Sequence, residues 1–255
     1  MFSYDFRLAV RSLLRNRGFS LIVILTMAVG IGANVAGFIY LSYLLWPTVD
    51  APNPAELVRV ETVFEKSAPD FNSYLDWLDL KKENRVFRQL AGFRLFGSAV
   101  KDNERTLFAW GHAVSGDYFS IFGASPERGR LIQPSDDRPE SEKVIVLNHL
   151  FWTQHFNADP SVIGKTLVLN GSHPYTVVGV TQRGFQGEGI GTEIYLPLAT
   201  ATRMLSGLDQ RNSRRVDGIG RLAPNTSITQ ARAALIPFAK ISINSTPKSF
   251  HANSN

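Results

Sequence analysis

No charged residue and no histidine occurs between Gly18 and Val49, and the apolar core of that stretch, Phe19–Trp46, is 28 residues long. About 20 apolar residues cross a bilayer. The run is therefore expected to be a transmembrane helix of roughly 42 Å, long enough to tilt or to project past the hydrocarbon. Tyr40, Tyr43 and Trp46 gather at its carboxy-terminal end, where aromatic rings sit at headgroup level, and Pro47 follows as a stop. A cleaved leader is the alternative, but its apolar stretch is about 7–15 residues followed by a small-residue cleavage site. This run is longer and its flank is Arg-rich, so retention as an anchor is expected.

Charge is placed as unevenly as hydrophobicity. Arg7, Arg11, Arg15 and Arg17 stand against the single acid Asp5 ahead of the span, and so hold three of the net five positive charges. The next basic residue is Arg59. Cytoplasmic flanks carry the excess of Lys and Arg, so the amino terminus is expected inside and residues after 47 outside. A basic excess confined to a membrane flank argues against nucleic-acid binding, and no nucleic acid is expected as a partner. Phe2, Phe6, Ala9, Val10, Leu13 and Leu14 follow helical spacing with Arg7, Arg11 and Arg15 opposite; only Leu8 breaks the pattern. Residues 1–18 thus read either as an amphipathic helix on the cytoplasmic leaflet or as a plain charged flank.

Within the span, Ala28, Gly32 and Ala36 recur every four residues, with Asn34 near the midplane. Small residues let a second helix approach, and an amide in hydrocarbon needs a hydrogen-bond partner. The alternative is that Gly and Ala are simply common in such helices. Arg7, Arg11, Arg15, Arg17, Tyr43 and Trp46 are therefore the candidate membrane-interface residues. Ala28, Gly32, Ala36 and Asn34 are the candidate helix-packing residues.

Beyond the span, strand-like and helix-like segments alternate irregularly, which predicts an α+β fold. Glu56–Glu65 has strand composition. Phe71, Tyr74, Leu75 and Leu78 have helical spacing, with Asp70 as candidate cap. Gly92–Val100 and Thr106–Val114 flank an Asp102–Asn103 turn. Asp117–Phe122 and His149–Phe156 read as helices, and Lys143–Leu147 as a buried strand. Asn170–Gly171 between Lys165–Asn170 and Tyr175–Thr181 is a strong hairpin signal. Ile194–Leu198 and Val216–Leu222 are further strands. Ser227 and Gln230 have capping-box spacing, and Ala231, Ala234, Leu235 and Phe238 are expected to face a core. Ser242–Asn255 is rich in Ser and Asn without periodicity and reads as a disordered tail.

Sequence signals for catalysis are weak. There is no cysteine, which excludes disulfides, thiol nucleophiles and zinc–thiolate sites. Gly164–Lys165–Thr166 imitates the end of a P-loop, but position 159 is Asp rather than Gly and strand residues follow. Gly187, Gly189 and Gly191 lack the spacing of a dinucleotide site and read as a surface loop. His149 and His155 are six apart, His112, His173 and His251 are isolated, and Asp136–Asp137 reads as a solvated pair. No catalytic, metal or cofactor site is expected, and the chain is read as not an enzyme.

Several stretches resemble permeases of the MacB/FtsX-like ABC transporter family. They are Ser12–Ser20 (SLLRNRGFS), Leu25–Asn34 (LTMAVGIGAN), Val114–Gly123 (VSGDYFSIFG) with Gly129–Leu131, Asp159–Gly171 (DPSVIGKTLVLNG), Tyr175–Val180 (YTVVGV) and Leu222–Leu235 (LAPNTSITQARAAL). The resemblance implies a two-lobed mixed α/β periplasmic domain over 47–240. Outer segments near 47–112 and 214–240 would enclose an inserted lobe near 113–213; residues 241–255, the tail read from composition, do not resemble the family. It implies the bacterial inner membrane, a cytoplasmic ABC ATPase subunit, a permease dimer partner and, in one branch, a periplasmic adaptor. Such permeases carry further membrane helices after the external domain. None follows residue 46 here, so a truncated, frame-shifted or split permease is expected. A stand-alone membrane-anchored binding or sensor module and a membrane-tethered hydrolase are the alternatives.

Overall fold

The structure, a computed structural model, describes residues 15–45, 51–62, 71–102, 105–189, 191–208, 210–235 and 241–245. Two compact units divide the chain, Met1–Thr48 and Val49–Asn255. In the first, Arg17–Leu45 forms one unbroken 29-residue helix, α1. Its Arg17–Phe38 stretch has a mean hydropathy of 2.1 and is long and apolar enough to cross a membrane. Phe19, Met27 and Phe38 are each more than 60% exposed, the pattern of a helix whose apolar surface is left for lipid or another helix. Arg7, Arg11 and Trp46 lie outside the described residues, as does the predicted amphipathic pattern at residues 2–14.

The second unit is mixed α/β, as the sequence predicts. Its strands are β1 (Leu57–Thr62), β2 (Asn72–Ser73), β3 (Phe87–Asp102), β4 (Arg105–Val114), β5 (Pro126–Gly129), β6 (Val144–Leu147), β7 (Thr166–Leu169), β8 (His173–Thr181), β9 (Ile194–Pro197), β10 (Arg214–Leu222) and β11 (Ile241–Ser245). Its helices are α2 (Tyr74–Glu83), α3 (Tyr118–Ile121), α4 (His149–Phe156), α5 (Leu198–Ala201) and α6 (Ile228–Leu235). The sheet path runs β11-β1-β10-β3-β4-β9-β6-β8-β5, with β2 on β10. Because β7 pairs with both β3 and β8, the strands β3, β4, β9, β6, β8 and β7 close on themselves into a ring.

Ring closure follows from strand chemistry. Alternate residues of all six strands, among them Phe96, Ala109, Ile194, Leu147, Val177 and Leu167, belong to one hydrophobic cluster. Closing the sheet lets these side chains fill the interior and removes sheet edges. A second cluster lies on the other face of the same strands, where Phe93, Val114 and Tyr195 meet Tyr118, Phe119 and Phe122 around α3. The ring draws β3 and β4 from the outer segment expected at 47–112, and its other strands from the middle segment expected at 113–213.

Local signals explain many boundaries. Asn170 and Gly171 have φ of 46° and 76°, the left-handed pair that a tight hairpin between β7 and β8 requires. Ser227 and Gln230 exchange the expected capping-box bonds, Ser227 N–H to Gln230 Oε1 at 2.8 Å and Gln230 N–H to Ser227 Oγ at 3.2 Å. Gly164 sits at φ +87° and its N–H donates to the Val177 carbonyl, so Gly164–Thr166 is a turn into β7.

Four expectations need correction. The helix over residues 74–83 is capped by Ser73, whose Oγ accepts from Asp76 N–H; Asp70 lies outside the described residues. Its buried face is Tyr74, Trp77 and Leu80, while Phe71 and Leu78 are exposed. β2 pins the chain just before the helix, and Trp77, the largest side chain available, takes the core. Ala234 is exposed on α6, where Ala231 and Leu235 are buried; Phe238 lies outside the described residues. Ile241–Ser245, read from sequence as the start of a disordered tail, is a strand antiparallel to β1. The Ile-Ser-Ile alternation has strand period, and β1 offers an edge that needs a backbone partner.

Candidate functional site

The residues singled out in the anchor sit on α1 without converging on a chemical centre. Arg15 and Arg17 lie at its amino-terminal end and are exposed, and the helix backbone continues through Tyr43. Ala28, Gly32 and Ala36 are exposed along one side. A Cβ built on Gly30, Gly32 or Gly37 meets nothing within 4 Å, so a neighbouring backbone has room to approach. Asn34 meets its need for a partner within its own helix, its Nδ2 donating to the Gly30 carbonyl at 2.8 Å.

In the external unit, the polar groups that do converge lie under the loop at residues 184–189. Arg59 of β1 faces Glu188 of the loop in an ion pair, and its Nη1 lies 3.6 Å from Asp217 Oδ1 of β10. Glu188 N–H donates to the Tyr118 hydroxyl at 3.0 Å. Burial raises the Glu188 carboxyl above its ordinary value, with Arg59 opposing, and pushes Asp217 up to about 6. Burial also pushes His112 down to about 4. That histidine is buried and shares a 2.9 Å hydrogen bond between its Nδ1 and Thr192 Oγ1.

Glycine makes this packing possible. A Cβ on Gly187 would lie 2.3 Å from the Tyr118 hydroxyl, and one on Gly189 would lie 2.7 Å from His112 Cε1. Gly187 also has φ +59°, a left-handed conformation that favours glycine. The sequence reading of a plain surface loop is therefore corrected: Phe185 is buried and Glu188 is anchored. Arg59, Glu188, His112 and Asp217 were missed as a group. They are far apart in sequence, Arg59 and Glu188 by 129 positions, so no local spacing reports them.

A second junction centres on Arg221 of β10, whose side chain is buried. Its Nη2 donates to the Ile121 carbonyl of α3 at 2.7 Å. Its Nη1 donates to the Asn53 carbonyl at 3.1 Å and to Glu56 Oε2 at 3.3 Å. This one guanidinium ties the start of the external unit to β10 and to the middle segment. The Asp136–Asp137 pair is structural as well, not solvated. Asp136 is bidentate with Arg130, at 2.6 and 2.9 Å. Asp137 accepts from the N–H groups of Gly116 and Ala199, and burial raises its carboxyl. His149 pairs with Glu127 on the surface. Among the described residues, no three His, Asp or Glu side chains gather as metal ligands would.

The fold and the sequence have clear relatives. The MacB-like periplasmic core domain profile matches residues 20–238. The Macrolide export ATP-binding/permease protein MacB of Salmonella choleraesuis is 29% identical over 113 residues, which is 42% of this chain and 17% of that protein's length. The periplasmic region of MacB from Actinobacillus actinomycetemcomitans superposes with a TM-score of 0.60 at 17% identity, covering 75% of this chain and 89% of that one. A domain of a putative permease protein from Porphyromonas gingivalis gives 0.61 at 14% identity, covering 80% and 96%. At these identities the two structures speak for the fold, and the profile match speaks for the family. With that match taking in both the apolar helix and most of the external unit, the chain belongs to the MacB-like periplasmic core domain family.

Proposed function

We propose that this chain is the anchored external domain of an ABC-type permease, which passes movement between a cytoplasmic ATPase and the far side of the inner membrane. The observation that carries the reading is the family match over residues 20–238, which joins one membrane-length helix to the external domain in a single unit of homology. The role is mechanical and recognitive rather than catalytic. A closed ring of strands, with Arg221 tying its flank together, suits a body that transmits force without deforming. In this reading Arg7, Arg11, Arg15 and Arg17 hold the amino terminus at the cytoplasmic leaflet, and Tyr43 and Trp46 mark the outer interface. The Ala28–Gly32–Ala36 side faces a second membrane helix, from a permease dimer partner, with the Asn34 amide oxygen available to it. A periplasmic adaptor is a further candidate partner.

The absence of native cysteine makes the orientation directly testable. Single substitutions Lys101→Cys, at an exposed position in β3, and Arg15→Cys, ahead of the span, can be labelled in intact cells with a membrane-impermeant maleimide. Lys101→Cys is expected to react without permeabilisation and Arg15→Cys only after it. The reverse pattern, or equal labelling of both, would contradict the proposed orientation.

A further inference from the structure

We propose that Arg105–Trp110 of β4 is an open strand edge on which a second copy of this chain docks, antiparallel, about a two-fold axis at Leu107. The inference goes beyond the transport reading, since strand pairing needs neither an ATPase nor contact between membrane helices. β4 outruns its neighbour β9: their parallel pairing begins only at Gly111 and Ile194. At the last covered position, Trp110 N–H donates to Glu193 Oε2 at 2.8 Å, and the Trp110 carbonyl accepts from Glu193 N–H at 2.8 Å. Backbone groups of alternate residues point to the same side of a strand. The N–H and C=O groups of Phe108 and Thr106 therefore point to this side too, and among the described residues none bonds to them there.

The edge also lacks the usual protection against pairing. β5, which ends the sheet path, carries Pro126, Glu127 and Arg128 and a register shift against β8. Those are devices that blunt an exposed strand. In β4 the register against β3 is unbroken and there is no proline. Its outward face is apolar: Leu95 of β3 and Phe108 and Trp110 of β4 are each at least 50% exposed. Phe108 and Trp110 meet edge to face with centroids 5.4 Å apart, and a Cβ on Gly97 would lie 2.6 Å from the Phe108 ring. The rings thus lie across the strand pair as a fixed platform, and exposed apolar patches of this kind mark interaction surfaces.

The edge is complementary to itself. Setting Thr106 opposite Phe108 of the second copy, and Phe108 opposite its Thr106, uses all four outward groups of each edge in four hydrogen bonds. Charge selects the direction. Arg105 at one end is exposed and has no ion pair among the described residues, and the Glu193 carboxylate stands at the other end; Glu104 lies outside the described residues. Antiparallel copies bring each Arg105 beside the other's Glu193, whereas parallel copies in register set like against like.

The cysteine-free sequence allows a direct test on the full chain in native membranes. On the axis the two Leu107 positions form a non-hydrogen-bonded pair with Cα atoms about 4.5 Å apart, within reach of a disulfide. Leu107→Cys is expected to link most of the chain into a dimer on mild oxidation. Lys101→Cys on β3 is the control. Its two Cα atoms would lie about 14 Å apart, three strand spacings, and its linked fraction is expected to be at least about tenfold smaller. Leu107 packs partly against the core. Mixing Thr106→Cys chains with Phe108→Cys chains keeps the test open if Leu107→Cys folds poorly, since each is expected to link to the other and not to itself. Adding Thr106→Pro to the Leu107→Cys chain removes an outward N–H and no bond to β3, and should cut linkage at least about fivefold. Absence of linkage both at Leu107→Cys and in the mixture would overturn the proposal. So would equal linkage at Lys101→Cys, or linkage indifferent to Thr106→Pro.

Discussion

Replacing Trp77 with alanine is expected to lower the unfolding free energy of the external unit by about 3–5 kcal/mol. Trp77 is 1% exposed and belongs to the larger hydrophobic cluster. Two strands are shaped around its ring: a Cβ on Gly92 of β3 would lie 2.6 Å from it and one on Gly218 of β10 3.1 Å. Strand glycines here have a packing reason, since only they let α2 lie this close to the sheet. Truncation removes the ring and leaves a cavity that two glycine backbones cannot refill. Leu78→Ala, one residue along on the exposed side of the same helix, is the control and should cost less than about 1 kcal/mol. Denaturant unfolding followed by circular dichroism separates the two through their midpoints, provided the slopes match.

The second large effect is expected at Arg221. Arg221→Met keeps most of the buried stem and removes the guanidinium, leaving the Ile121 carbonyl without that donor, while the Asn53 carbonyl keeps the Glu56 N–H at 3.0 Å. A buried acceptor left unsatisfied costs about 1–3 kcal/mol, so a loss of about 1–3 kcal/mol is expected. Glu56→Gln should cost under about 1 kcal/mol, because Glu56 is substantially exposed and solvent screens its ion pairs with Arg221 and Arg88. Equal costs for the two substitutions would mean that Arg221 acts as a surface ion pair rather than as a buried tie between segments.

These two residues also show what a sequence can and cannot disclose. Features written in adjacent residues are legible: the uncharged run that becomes α1, the Asn170–Gly171 turn and the Ser227–Gln230 capping box all appear in the structure where their local chemistry puts them. Trp77 was absent from the predicted face of Phe71, Tyr74, Leu75 and Leu78 because helical spacing fixes a period without fixing its phase. Phe71 lies ahead of the helix that its spacing seemed to begin, and β2 with its pairing to β10 sets the true start. The strand at Ile241–Ser245 was hidden by its Ser and Asn content, since its stabilising partner is the edge of β1, almost the whole external unit away in sequence. The pairing of Arg59 with Glu188 was hidden for the same reason. Arg59 read only as the first cation beyond the membrane, and Glu188 only as one acid in a glycine-rich loop. Nothing within ten residues of either announces the other.

The family assignment was legible because it rests on ordered motifs spread along the chain, which the profile match over residues 20–238 also spans. What such a domain does in the cell depends on its partners, and the central claim is that this one works with an ABC ATPase across the membrane. The most direct measurement is affinity purification of the carboxy-terminally tagged chain from gently solubilised native membranes, with quantitative mass spectrometry. An ABC-type ATPase subunit is expected to be retained in near-stoichiometric amount, and its ATP hydrolysis rate to change when the chain is stripped away. Recovery of the chain free of any such ATPase, under conditions that keep other ABC transporters of the same membranes assembled, would contradict the central claim.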